Sequence, residues 1–209
     1  MTKQERAVRT RYQLIAAAAD VFNRNGFVRT NLAAVSRRAN VSTGALYFHF
    51  ERKEELAAAV VNQAVGSIRS AVQRVHHSPA CALQRLVDAT HAIAALLRTD
   101  SVVKAGVLLN QEGYGPRPDL RLEWHTHIQR LLAEAEREDM LAPDVSQQSA
   151  ASAITASTVG FEVLGRDDLQ WLSRHALTSF WGFHLPALAA GPALGRLDAA
   201  GTDIGSAHR

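Results

Sequence analysis

Apolar residues recur along this chain at the three- and four-residue spacing of helices, and no stretch alternates long enough to predict a strand. Leu14, Ile15, Ala18, Ala19 and Phe22 share one face of a first helix, expected from about Ala7 to Asn25. Gly26 suits the left-handed position that would stop it. Thr30 or Asn31 can cap a second helix that carries Leu32, Val35 and Ala39 inward. Asn40-Val41 reads as a tight turn, and Ser42 as the cap of a short third helix with Ala45, Leu46 and Phe48. A long helix follows from near Arg52 to about His76.

The rest of the chain is punctuated as clearly. Ser78-Pro79 is a cap followed by proline at a first helical position. Asp100 or Ser101 restarts helix, and Gly113-Tyr114-Gly115-Pro116-Arg117-Pro118 holds too many breakers to be anything but loop. Helix is expected again from Asp119 to about Asp139, then after Pro143-Asp144 with Gln147 as a capping-box partner. Gly165 ends that helix, and Asp167 caps a last one reaching roughly Leu188. From Gly191 onward small and polar residues predict a frayed tail.

Composition narrows the function classes. The single Cys81 excludes an intrachain disulfide and a cysteine-rich metal site and fits a reducing cytoplasm. No run approaches the roughly 20 apolar residues of a membrane span. The net charge of +3 is unevenly placed: residues 1–55 hold ten Lys/Arg against five acids, whereas the remainder holds 13 basic and 15 acidic groups. Positive charge therefore gathers on the three short helices, where it is either a phosphate-binding surface or a solvated face.

The helix pattern separates these two. A scaffold helix, a tight turn and a second helix opened by small polar residues make a helix-turn-helix, the element that enters a major groove. Ser42, Thr43 and Gly44 let the backbone approach DNA and offer hydroxyl and N–H donors. Tyr47 and His49 follow on the same helix, where they can reach phosphate or a thymine methyl. Lys53 opens the next helix as a cation placed for the DNA backbone.

The run from Gly26 to Leu56, G-F-V-R-T-N-L-A-A-V-S-R-R-A-N-V-S-T-G-A-L-Y-F-H-F-E-R-K-E-E-L, resembles the signature of the TetR family of bacterial repressors. The resemblance implies DNA contacts at Thr30, Arg37, Ser42, Thr43, Gly44, Tyr47, His49 and Lys53, with Leu46, Phe48 and Phe50 locking the third helix into a small core. The opening K-Q-E-R-A-V-R-T-R, the run G-A-L-Y-F-H-F, V-V-K-A-G-V-L-L (Val102 to Leu109) and L-E-W (Leu122 to Trp124) further resemble γ-butyrolactone receptors and their pseudo-receptor relatives. Those receptors carry threonine-lysine where Ser42-Thr43 stands, so this chain has no lysine there to make a bidentate contact to guanine.

The body is expected to sense and to dimerise. Leu120, Trp124, Ile128 and Leu131 share a helix face, on which a tryptophan is ordinarily core. The resemblance implies instead that Trp124 floors a pocket and that Gln63 is a polar pocket residue. Thr155 and Thr158, in an alanine-rich helix, can anchor a ligand or bond their own backbone. Phe161, Leu177 and Trp181 lie on the broad apolar faces of the last two helices, which predict a four-helix seam between two copies.

His76-His77 and His125-x-His127 sit at spacings that point apart on a helix, so no metal site is expected, nor any cofactor. No nucleophile-and-base set points to an enzyme.

The fold expected is all-α and TetR-like: a helix-turn-helix head over residues 1–53, a helical ligand-sensing and dimerisation bundle over 54–190, and a flexible tail over 191–209. The function expected is a cytoplasmic homodimeric repressor, released from a palindromic operator by a small amphipathic signal such as a γ-butyrolactone. The alternatives are a pseudo-receptor for an antibiotic or biosynthetic intermediate, and a ligand-independent architectural DNA-binding protein.

Overall fold

The computed structural model describes residues 2–115 and 118–202, so Pro116 and Arg117 of the predicted loop and residues 203–209 of the predicted tail lie outside the described residues. The helices run α1 Lys3–Arg29, α2 Leu32–Ala39, α3 Thr43–His49, α4 Lys53–His76, α5 Ala82–Thr99, α6 Ser101–Gln111, α7 Leu120–Arg137, α8 Gln147–Leu164, α9 Arg174–Leu188 and α10 Gly191–Leu194, with a 3-10 turn at Leu169–Leu172. Among the described residues the only extended pairing is an isolated antiparallel bridge between Leu141 and Ala189. No helix among them is long and apolar enough to cross a membrane.

The chain divides into two compact units that are not contiguous in sequence: residues 1–68 with 99–118, and residues 69–98 with 119–209. α6, which the linear pattern assigned to the body, therefore groups with the head. It packs on α1, where Asn23 Nδ2 donates to Ser101 O at 2.9 Å. It also crosses α4 so closely that a Cβ on Gly106 would lie 2.3 Å from Ala64 Cβ.

In the first unit, a Thr2–Glu5 capping box starts α1 at Lys3, four residues before the expected Ala7. Leu14, Ile15, Ala18, Ala19 and Phe22 are buried as the pattern requires. Gly26, at φ 72° and ψ 168°, kinks the helix, and one further turn follows to Arg29. A residue with a Cβ is strained at that φ. Asn31 is the cap of α2, accepting from Ala34 N–H at 2.8 Å. Asn40 takes the left-handed conformation that turns the chain from α2 to α3.

The second unit is built on a core of Leu83, Leu86, Ile128, Leu131, Leu132, Ile154, Trp181 and Leu185, to which α5, α7, α8 and α9 all contribute. Three helix starts differ from the sequence reading: α5 begins at Ala82 and not behind Ser78-Pro79, Ser146 starts α8, and Ser173 starts α9 after Asp168 has capped the 3-10 turn. The expected frayed tail is instead folded down as far as residue 202. Asp198 exchanges hydrogen bonds with the Gln84 amide, and Thr202 donates from both N–H and Oγ to the Asp88 carboxylate, at 2.7 and 2.6 Å. Gln84 and Asp88 are buried polar groups, and this strap supplies the partners that burial demands.

Candidate functional site

The helix-turn-helix is formed as its sequence requires. Ser42 accepts from Ala45 N–H at 3.1 Å, which sets the start of α3. Buried Ser36 on α2 donates to Val41 O at 3.1 Å and holds the turn against the scaffold helix. Leu46 and Phe50 anchor α3 in the core. Ser42, Thr43, Gly44, Tyr47 and Arg37 are all exposed. His49 is half-buried, and its pKa is lowered first by desolvation and then by the charge of Arg11, which favours the neutral ring.

Three residues of the head differ from expectation. Phe48 is 79% exposed rather than core, because at seven residues α3 buries only one narrow face and Phe48 points away from Leu46. Thr30 is buried with its hydroxyl donating to Gly26 O at 2.7 Å, so its side chain closes the α1 kink and does not face solvent. The Lys53 ammonium caps the end of α1: it donates to Phe27 O, Thr30 O and Val28 O at 2.9, 3.0 and 3.3 Å and lies 4.3 Å from the Phe27 ring centroid. A cation at a helix C-terminus satisfies the orphan carbonyls there. The other face of this junction is closed by Tyr114, stacked on Phe27 at 3.8 Å between centroids.

In the second unit α7 and α8 bring Trp124, Thr155 and Thr158 together. The Trp124 indole N–H donates to Thr158 Oγ at 2.8 Å, and that hydroxyl in turn donates to Ile154 O. Thr155 Oγ has one proton and directs it to Ala151 O at 2.7 Å, so His125 Nδ1, 2.8 Å away, is the donor of that pair. His127 stacks on Trp124 at 5.8 Å between centroids. Its pKa is pushed down to about 4, by desolvation first and by Arg130 and His76 after it, so this ring is neutral near pH 7. Neither histidine was singled out for this site from the sequence. The signal was available, since His127 stands three residues from Trp124 on the same helix face. Gln63, on the part of α4 that belongs to the first unit, has a buried amide oxygen with no hydrogen-bond partner among the described residues.

Residues 14–60 match the bacterial regulatory proteins of the tetR family, and residues 80–188 match the tetracyclin repressor-like C-terminal domain, which alone spans more than half of the chain. The chain belongs to the TetR family. It is 34% identical over 197 residues to the A-factor receptor protein of Streptomyces griseus, a match covering 90% of this chain and 67% of that protein. Among solved structures it is similar to a gamma-butyrolactone receptor described as ArpA-like, with TM-score 0.79 and 29% identity over 93% of this chain and 96% of that one. It is also similar to CprB from Streptomyces coelicolor in complex with its biological operator sequence, with TM-score 0.76 and 30% identity over 91% and 94% of the two chains. As a TetR-family protein this chain is a DNA-binding transcriptional regulator and not an enzyme.

Within this TetR-family chain, the residues expected to form the seam between copies separate into two groups. Trp181 and Leu177 are buried inside the protomer, with the Trp181 indole N–H donating to Thr90 Oγ at 2.7 Å. The apolar faces of α8 and α9 are wide enough that their centres fill the protomer's own core, and Phe161 sits at the margin, edge-on to Phe180. What remains exposed is Phe183 on α9, at 80%, with Val163 and Leu164 at the end of α8 and Leu169 and Trp171 in the 3-10 turn.

Proposed function

We propose that this TetR-family regulator is a cytoplasmic, homodimeric repressor that grips a palindromic operator with two helix-turn-helix heads and is released by a small, uncharged, amphipathic effector of the γ-butyrolactone type. The observation that carries the effector class is the arrangement around Trp124. An indole plane stands beside the neutral ring of His127, with the His125 imidazole and the Thr155 and Thr158 hydroxyls on the same pair of helices. Such a surface suits one polar ring and an alkyl chain. The likeness to the A-factor receptor protein and to the ArpA-like gamma-butyrolactone receptor over nine-tenths of this chain supports the same reading.

Release follows if the effector binds more tightly to a conformation whose heads no longer match the half-site spacing. A coupling of about 1–3 kcal/mol weakens DNA binding several-fold to a hundred-fold. The test is release of the regulator from its operator by a synthetic γ-butyrolactone, run on wild type and on Trp124→Ala. The variant is expected to bind DNA as wild type does and to lose release. Unchanged effector sensitivity would refute the placement of Trp124.

A second reading is favoured by one residue. The exposed Thr43 stands where the butyrolactone receptors carry lysine, so a different base is read and a different regulatory role follows, as in the pseudo-receptors. A larger, flatter antibiotic or intermediate would then be the molecule that releases the protein.

A further inference from the structure

α5 carries Gln84, Asp88 and His91 at i, i+4 and i+7, on one face of a helix whose inward residues are otherwise mostly apolar. The segment from Asp198 to Thr202 lies across that face, and the side chains beneath it read its main chain. Gln84 donates from Nε2 to Asp198 O at 3.1 Å and accepts from Asp198 N–H at 2.8 Å. His91 Nε2 donates to Ala199 O at 3.0 Å. Arg174, at the start of α9, donates to Gly201 O at 3.0 Å, and Asp88 accepts from Thr202 N–H at 2.7 Å. The Thr202 hydroxyl adds a side-chain contact, donating to Asp88 Oδ2 at 2.6 Å.

The segment brings its own shape. Ala200 N–H donates to Asp198 Oδ1 at 2.8 Å and Gly201 N–H to Asp198 O at 3.1 Å, so an aspartate turn presents its carbonyls to α5 and α9. Gly201 has φ 76°, and a Cβ on it would lie 3.0 Å from His91 Cδ2, so the position favours glycine. Apolar burial contributes little: Asp198 and Thr202 are exposed, and Ala199 and Ala200 are half-buried. A segment held by directed hydrogen bonds and not by apolar area opens locally without unfolding the core beneath it.

We propose that this face of α5, completed by Arg174, is a peptide-binding slot for the pattern Asp-x-x-Gly-Thr, and that residues 198–202 are its displaceable, tethered ligand. The aspartate makes the turn, the glycine lies against His91, and the threonine satisfies Asp88. While the strap is docked, tethering gives it an effective concentration on the order of millimolar, which shuts out a free peptide. When it lifts, the buried polar groups of α5 are left short of partners and accept the same pattern presented in trans. The inference stands apart from the operator and effector readings.

The probe is a fluorescent peptide, Asp-Ala-Ala-Gly-Thr with both ends blocked, titrated by anisotropy into the full-length wild type and full-length Gly201→Val. Valine at a positive φ lifts the strap and leaves the slot itself unaltered. The variant is expected to fold, by circular dichroism, and to bind the peptide saturably. Wild type is expected to bind it at least about tenfold more weakly, because its slot is filled in cis. Replacing the peptide's glycine by valine, or adding Asp88→Ala to the variant, should weaken binding about ten- to a hundredfold. In wild type, the Asp198 and Thr202 amides are expected to exchange hydrogen together and well ahead of the α5 amides. A folded Gly201→Val chain that takes up no peptide at millimolar concentration overturns the proposal. So does uptake indifferent to those two changes, or equal uptake by wild type. A Gly201→Val chain that fails to fold overturns it as well, as do strap amides that exchange only when α5 does, since the strap would then be part of the core and not a ligand on it.

Discussion

An imidazole stacked on an indole and shielded from water resists protonation, and this makes His127 a reporter of its surroundings. With a folded pKa of about 4 against an ordinary value of 6.5, the unfolded chain binds the additional proton between these two values. Stability from this residue is therefore complete above pH 6.5 and is lost as pH falls toward 4. Thermal unfolding of wild type and His127→Gln across that window checks it, and the variant is expected to show a shallower fall in Tm. Lys53 offers a second test at this scale. Because its ammonium caps α1, Lys53→Ala is expected to lower the melting temperature of the free protein as well as weaken binding to every DNA sequence alike. A variant with unchanged melting but weaker binding would return Lys53 to the phosphate role alone. Thr43→Ala, by contrast, is expected to alter preference at one position per half-site and to leave melting unchanged, since the Thr43 side chain is exposed.

At the scale of elements, the strap from Asp198 to Thr202 is the feature least visible in the pattern of residues. Its composition is small and polar, and nothing in its own periodicity predicts a docking site. The docking site is the polar stripe of α5, where Gln84 and Asp88 are buried, and it becomes legible only once those residues are seen to need partners. Ending the chain at Leu197 leaves the Asp88 carboxylate with the Gln84 amide alone. The expected destabilisation is about 1–3 kcal/mol for a buried group left short of partners. That corresponds to roughly 2–4 °C in Tm for each kcal/mol in a chain of this size. Asp88→Asn in the shortened chain should recover part of it, and calorimetry of the three proteins is the measurement.

For the whole molecule, association depends on which apolar residues the protomer leaves uncovered. Phe183→Glu is expected to give a folded protein that sediments as a monomer, because the side chain is 80% exposed. Trp181→Glu is expected to fail to fold, because it places a carboxylate in a fully buried position and removes the partner of Thr90. A Phe183→Glu variant that remains a dimer would move the seam away from this face of α9.

The sequence by itself determined the helices of the head, the turn at Asn40, the cap at Ser42 and the family. Each of these depends on neighbours within a few turns of chain, where helical periodicity, capping chemistry and left-handed tolerance act directly. Only the tertiary structure decided the rest. Phe48 faces out because Leu46 and Phe50 already fill the small core against α3. Lys53 faces in because the α1 carbonyls lie within reach of its ammonium, more than twenty residues away along the chain. α6 groups with the head because Gly106 lets it approach Ala64. Trp181 is core because α5 supplies Thr90 to its indole. In the last three cases the deciding partner is distant in sequence. An apolar or charged residue announces that it needs a partner, and only the folded chain determines which one it meets.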